Sequence, residues 1–313
     1  MKNKWLEGIM GVVVGDALGT PVQFIERGAL KEKPVETMEG HGTFDMPAGT
    51  WSDDSSMTLA TLISLRERQD VDYEDIMNRF VDWTIEGKYT PAGKAFDQGI
   101  TCMEAICKYA RTGDYRTCGR TGEWANGNGA LMRILPVCLF GYEKVVCGEW
   151  DTEKALDGIH QVSALTHNHL RSKIACGMYF FMVKSILEGD GDVLGRLEKG
   201  VEEALAHYRC NISNHAELAH YGRLFQLEKF MECPEEEIKS SGYVVDSLEA
   251  AVWSLITTSS FEEALLKAVN LGDDADTVAA IAGGLAGLYY GYDNIPEEWL
   301  EQIVRREWIE GLC

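Results

Sequence analysis

The sequence predicts an all-α fold, on three observations. Apolar residues recur at three- and four-residue spacing along most of the chain, as they do when one face of a helix is buried. Period-two alternation, the mark of a strand, is confined to short pieces such as Gly242-Tyr243-Val244-Val245. Only seven prolines occur (Pro21, Pro34, Pro47, Pro91, Pro136, Pro234 and Pro296), mostly at the edges of the periodic segments.

Taken in order, the periodicity predicts helices over Trp5–Leu18, Met57–Arg68, Tyr73–Trp83, Thr101–Tyr109, Leu131–Phe140, Arg171–Leu187, Val193–His207, Ser247–Leu255, Phe261–Asn270, Thr277–Tyr290 and Glu297–Trp308. The glycine-dotted span from Arg27 to Gly49 is the longest irregular stretch. It reads as a plain surface loop or as a flap over a site that begins at Trp51. No repeat period or low-complexity linker interrupts the chain, and 313 residues are enough for one to two domains with a sizeable core.

Fifty acidic against 29 basic residues give a formal net charge of −21. That field repels nucleic acid and anionic membrane, and neither is expected as a partner. The most apolar stretch, Val278 to Tyr290, is too short and glycine-rich to span a bilayer. Nine scattered cysteines contain no Cys-x-x-Cys, and several sit among apolar neighbours as reduced core residues do. The start, Met1 to Gly8, runs into an amphipathic segment with no cleavable signal pattern, so a cytoplasmic protein is expected.

Two acidic clusters carry the chemistry. Trp51-Ser52-Asp53-Asp54-Ser55 opens one apolar helix, and Gly272-Asp273-Asp274-Ala275-Asp276-Thr277 opens another more than two hundred residues later. Either alone reads first as a helix start, ahead of a metal site, since Ser and Asp cap helices and acidic first turns suit the helix dipole. A cap needs one such residue, however, and crowded carboxylates repel one another unless a cation offsets them. Carboxylates and hydroxyls without His or Cys form an oxygen-only set suited to Mg²⁺ or Mn²⁺. Asn126-Gly127-Asn128-Gly129 precedes another predicted helix, where glycines would let backbone N–H groups approach an anion; by itself, a glycine-rich helix entry capped by Asn is the better reading. His167 and His169 have no acidic or Cys partners nearby in sequence and read as structural.

Gly15-Asp16-Ala17-Leu18-Gly19, Trp51-Ser52-Asp53-Asp54, Phe96-Asp97-Gln98-Gly99-Ile100-Thr101, Gly127-Asn128-Gly129-Ala130-Leu131-Met132-Arg133, Thr166-His167, Gly242-Tyr243-Val244-Val245 and Asn270-Leu271-Gly272-Asp273-Asp274-Ala275-Asp276-Thr277 follow one another along nearly the whole chain. In that order they resemble the ADP-ribosylglycohydrolase family, which includes the ADP-ribosyl-acceptor hydrolases and the dinitrogenase reductase-activating glycohydrolases. The resemblance implies a single all-α domain over residues 1–313 with a dinuclear Mg²⁺ or Mn²⁺ centre. It implies metal ligands at Ser52, Asp53, Asp54, Asp274, Asp276 and Thr277, with Asp53 or Asp54 orienting or deprotonating the attacking water. It places Asn126, Gly127, Asn128 and His167 at the ribose and pyrophosphate.

The implied reaction is hydrolysis of the N-glycosidic bond between ADP-ribose and a modified protein or small-molecule acceptor, with ADP-ribose as product. Asp97 matches a carboxylate that the nitrogenase-regulating relatives set beside a modified arginine, which makes arginine the expected acceptor, although Asp97 also reads as a cap for the helix beginning near Thr101. Two departures stand out. Gln23 takes the place of a Glu that gates the site in many relatives, with Glu26 the nearest carboxylate that could substitute, and Leu170 follows His169 where relatives often have Pro. Asp273 falls where relatives often have Gly and is not assigned as a ligand. The neutral Gln23 keeps a second reading open, a non-catalytic or weakly active ADP-ribose-binding protein on the same fold.

Overall fold

A computed structural model describes residues 3–313; Met1 and Lys2, which open the amphipathic N-terminal segment, lie outside the described residues. The α-helices are α1 (Lys4–Gly19), α2 (Arg27–Glu32), α3 (Asp53–Arg68), α4 (Tyr73–Glu86), α5 (Ile100–Thr112), α6 (Leu135–Val146), α7 (Thr152–Ala164), α8 (Leu170–Glu188), α9 (Val193–Arg209), α10 (His215–Leu218), α11 (Leu227–Met231), α12 (Val244–Ile256), α13 (Phe261–Asn270), α14 (Ala275–Tyr290), α15 (Glu297–Gln302) and α16 (Arg306–Leu312). Short 3₁₀ turns link several of them. Among the described residues no strand forms, and only isolated bridges occur: His41 with Met46, Arg120 with His167, and Gly127 with Tyr243. The all-α prediction holds.

The most extensively packed pair is α1 and α14, two helices buried on nearly all sides. Their apolar character all round is what a central helix requires, because no face of it meets water. α3, α6, α8, α12 and α13 pack around this pair, with Trp51, Trp83 and Trp299 fully buried in one contiguous apolar core. Outer helices are amphipathic and capped. Asp72, Asp151, Asp192 and Ser260 each accept a hydrogen bond from a backbone N–H of the helix they precede. All nine cysteines are free. No helix among the described residues is long and apolar enough to cross a membrane.

Some sequence expectations need correction. Val244 and Val245 lie in α12, and only Tyr243 makes a bridge, because Tyr243 caps a helix whose first N–H bonds back to Asn126. The helix expected from Leu131 begins at Leu135, with Pro136 in its first turn. The helix expected over Glu297–Trp308 breaks into α15 and α16: Arg305 turns to φ +60°, while the Val304 N–H and C=O bond to Gly49 and to the Trp51 indole. The span from Arg27 to Gly49 contains α2 and a 3₁₀ turn at Gly42–Phe44. α7 was not foreseen, although Asp151 caps it and Ala155, Leu156, Ile159 and Val162 form its buried face.

Candidate active site

The acidic clusters meet because of how α1 holds both helix starts. The Asp16 carboxylate on α1 accepts hydrogen bonds from the Ser52 N–H (2.9 and 3.0 Å), the Ser55 N–H (2.9 Å), the Ser55 hydroxyl (2.6 Å) and the Thr20 hydroxyl (3.0 Å). It thereby fixes the first turn of α3, whose N-cap is Ser52. The sequence assigns Asp16 no role; its one signal there is a lone carboxylate between Gly15 and Gly19 on an otherwise apolar stretch of α1.

Carboxylate oxygens of Asp16, Asp54 and Asp276 lie within 4.8 Å of one another, all buried. Ser52 Oγ and Thr277 Oγ1 each donate to Asp54 Oδ2, at 3.3 and 3.4 Å. The second Asp54 oxygen, Oδ1, and Asp276 Oδ2 are buried with no hydrogen-bond partner. Burial, reinforced by neighbouring aspartates, holds the Asp53, Asp54 and Asp276 carboxyls well above their ordinary range. Such a set is strained as anions and suited to a hard cation, which would engage the free oxygens and replace repulsion by attraction. The residues present therefore fit a divalent metal. Asp16, already saturated by donors, is better described as the anchor of this cluster.

The remaining expected ligands sit one step outward. Asp274 accepts from Gln23 Nε2 at 3.2 Å and from Asn128 Nδ2 at 2.6 Å. A cavity of about 260 Å³ opens above, lined by Gln23, Asp53, Asp97, Gly127, Asn128, His167, Asp274 and Thr277 among others. Asp273 adopts φ +58° and Gly272 φ +72°, which explains why glycine suits both positions.

Asp97 lies in this cavity at φ +51°, and Gly99 takes the N-cap of α5, so Asp97 is not that helix's cap. Burial pushes the Asp97 carboxyl up to about 6, with Asp274 and Asp16 adding to the rise and hydrogen bonds to Gln23 and Asp276 opposing it. Gln23 is held over the site by its own backbone neighbourhood: Phe24 at φ +64° donates to the Asp273 carbonyl (2.6 Å), and Asp273 N–H returns a bond to Ile25 (2.9 Å). In the irregular span, Thr43 donates to the Gln23 carbonyl at 2.6 Å, and Phe44 packs on Phe96. Glu26 is exposed at the start of α2 and lines a neighbouring groove, so it does not substitute for Gln23.

Gly127 and Asn128 are held by reciprocal bonds to the α12 entry, Asn128 N–H to Gly242 O (3.0 Å) and Val244 N–H to Asn126 O (2.9 Å). The Asn126 side chain bonds Glu123 O and Ser172 Oγ, and so faces the protein interior instead of the cavity. His169 caps α8 by accepting from the Arg171 N–H, a structural role, and Leu170 follows as the first helical residue.

Known proteins resemble the chain over nearly its whole length. The chain is 32% identical over 305 residues to "ADP-ribosylarginine hydrolase Tri1" of Serratia proteamaculans (strain 568), covering 97% of this chain and 76% of that protein. It is 31% identical over 304 residues to "ADP-ribosyl-[dinitrogen reductase] glycohydrolase" of Rhodospirillum rubrum, covering 96% and 90%. A solved "ADP-ribosylglycohydrolase-related protein complex" superposes with a TM-score of 0.78 at 31% identity, over 99% of this chain and 95% of that one. The ADP-ribosylglycohydrolase family pattern matches residues 1–313, and the chain belongs to that family.

Proposed function

We propose that the chain is a single-domain cytoplasmic hydrolase, residues 1–313, that removes ADP-ribose from a modified arginine on a protein or small molecule, with two Mg²⁺ or Mn²⁺ ions as cofactors. The observation that carries this is the joint placement of Asp97 and the buried aspartates: Asp97 and Asp53 line one cavity, and the free oxygens of Asp54 and Asp276 belong to the cluster beneath. The relatives named for ADP-ribosylarginine and for ADP-ribosylated dinitrogen reductase support the same substrate class.

Ser52, Asp53, Asp54, Asp274, Asp276 and Thr277 would hold the cations. When bound, they would supply Lewis acidity that makes water a stronger nucleophile. Asp53 or Asp54 orients the attacking water and accepts its proton. Water oxygen bonds to C1″ of the distal ribose, and the C1″–N bond breaks through an oxocarbenium-like state. The electron pair leaves with the guanidine nitrogen, which takes up a proton. Asp97 pairs with the resulting guanidinium, whose planar fork matches a carboxylate. Gln23, Gly127, Asn128 and His167 contact the ribose and diphosphate.

Release of free ADP-ribose from arginine-linked, serine-linked and nucleobase-linked substrates, with and without Mg²⁺ or Mn²⁺, tests this reading. Turnover that requires the metal and favours arginine supports it. Tight binding of ADP-ribose with no turnover on any linkage would favour the binding-protein reading that the neutral Gln23 motivates.

A further inference from the structure

The motif Gly127–Arg133 ends in an arginine for which the proposed reaction has no use. Arg133 is fully buried and pairs with no carboxylate among the described ion pairs. Its guanidinium lies 4.7 Å from the centroid of the Phe80 ring; Nε donates to the Gly129 carbonyl at 3.0 Å and Nη2 to Thr166 Oγ1 at 2.7 Å, while Nη1 has no partner. Burying an uncompensated cation costs several kcal/mol, so a bare structural role is a poor explanation.

The Thr166 hydroxyl connects this cation to the cavity. Thr166 Oγ1 accepts from Arg133 and stands 2.8 Å from His167 Nδ1; its other neighbour, the buried Cys102 thiol, is a weaker acceptor than an imidazole nitrogen, so the hydroxyl proton goes to Nδ1. Donation to Nδ1 leaves the ring proton on Nε2. That edge of the ring is the one turned toward Gly127 and Gly129: a Cβ added at Gly129 would meet His167 Cε1 at 3.0 Å, and one at Gly127 would meet Nε2 at 3.4 Å. His167, Gly127 and Gly129 all line the cavity.

We propose that Arg133 and Thr166 are positioning residues that lock His167 in its neutral Nε2–H tautomer, presenting a fixed donor to an anionic oxygen of the ligand's diphosphate. The proposal deepens the ADP-ribosyl reading above and rests on it for the identity of the anion. Burial and the Arg133 charge hold the His167 pKa down to about 3, so the ring stays neutral at physiological pH, and only its tautomer can vary. The Arg133 charge, two hydrogen bonds behind the donor, polarises the relay in the direction that favours an anion.

The full-length protein is examined by ¹⁵N–¹H correlation spectra of the His167 ring and by calorimetric binding of ADP-ribose, in the wild type, Thr166→Val and Thr166→Ser. The expected result is an Nε2–H ring in the free wild type, binding weakened about tenfold in Thr166→Val, and near-complete recovery in Thr166→Ser, which restores the hydroxyl. An Nδ1–H ring in the wild type, or Thr166→Val binding as tightly as wild type, overturns the relay. If wild type binds no ADP-ribose, the ADP-ribosyl reading fails, and the tautomer spectrum decides the relay by itself; should Thr166→Val not fold, the wild-type spectrum and Thr166→Ser still decide it.

Discussion

Gly11 and Gly283 touch backbone to backbone: a Cβ on Gly11 would stand 2.0 Å from the Gly283 carbonyl oxygen, and one on Gly283 would stand 2.1 Å from that of Gly11. A Cβ on Gly15 would stand 2.1 Å from the Ala279 carbonyl oxygen, one on Gly287 2.1 Å from that of Glu7, and one on Gly19 2.3 Å from the Asp276 Cα. The glycines thus let α1 and α14 approach far closer than side chains allow. Asp16 projects from one of these helices and Asp276 from the other, so this approach gathers the carboxylates that neither helix could assemble alone.

Gly283→Ala is therefore expected to destabilise the protein by about 3 kcal/mol, at the upper end of overpacking costs, and to weaken divalent-cation binding by prying the two helices apart. Urea unfolding and calorimetric Mg²⁺ titration measure the two effects. A variant with wild-type stability would refute the backbone-contact account.

Metal-free protein should lose stability as pH rises. Asp97 titrates at about 6 against an ordinary 3.8, and burial also raises Asp53, Asp54 and Asp276. These groups hold protons more tightly folded than unfolded, so their contribution is complete below about pH 4 and is lost as pH climbs through about 6 and beyond. In chelator, Tm should fall between pH 5 and pH 8 by more than surface charges explain, and Mg²⁺ should raise Tm more at pH 8 than at pH 5. An equal metal effect at both pH values would argue against these carboxylates as the cation ligands.

Asp54→Ala and Asp276→Ala should each abolish hydrolysis and weaken Mg²⁺ or Mn²⁺ binding, because each removes an oxygen that has no partner within the protein. The fold should persist, with equal or higher Tm in chelator, since each change relieves carboxylate repulsion. Unchanged turnover in Asp276→Ala would rule out its assignment.

Much of this arrangement was legible because it rests on local rules. Periodicity and caps located α1, α3, α13 and α14, and crowded aspartates at two helix starts pointed to a cation. What sequence could not give is set by distant backbone. Asp16 reads as a helix residue until the Ser52 and Ser55 donors are seen around it, and Asn126 reads as a ligand residue until Glu123 and Ser172 are seen to occupy it. The break at Arg305 is dictated by bonds from Val304 to Gly49 and Trp51, more than two hundred residues away. The role of Asp97 was ambiguous because helix-capping and cavity positions share the same local sequence; the left-handed Asp97 backbone and Gly99 at the N-cap of α5 separate them.

Gln23 is expected to act as a hydrogen-bonding group and not as a base. Its Nε2 donates to Asp274 at 3.2 Å and its Oε1 is buried without a partner, free to receive a ribose hydroxyl. Gln23→Ala should lower kcat/KM about fivefold, the loss of one modest hydrogen bond. Gln23→Glu would set a third carboxylate against Asp274 and Asp97, and should reduce activity at pH 8 more than at pH 6. An inert wild type rescued by Gln23→Glu would make the ADP-ribose-binding reading the better account.

The choice of acceptor turns on Asp97. Its half-buried carboxylate lines the cavity beside Gln23, so a partner able to supply several N–H donors gains more there than it would at a fully solvated carboxylate. A guanidinium brings a fixed fork and a full charge, whereas a serine-linked ADP-ribose brings neither. Asp97→Asn keeps the shape and removes the charge. It should lower kcat/KM for arginine-linked ADP-ribose roughly tenfold or more, the size of a charge-assisted hydrogen bond, and leave serine-linked hydrolysis nearly unchanged. The raised Asp97 titration adds a second signature: in wild type, preference for the arginine linkage should strengthen as pH rises through about 6 and the carboxylate ionises, and Asp97→Asn should flatten that rise. Parallel pH profiles of kcat/KM on the two linkages measure both effects. Equal losses on the two linkages would assign Asp97 to the general architecture of the cavity and remove the basis for arginine specificity.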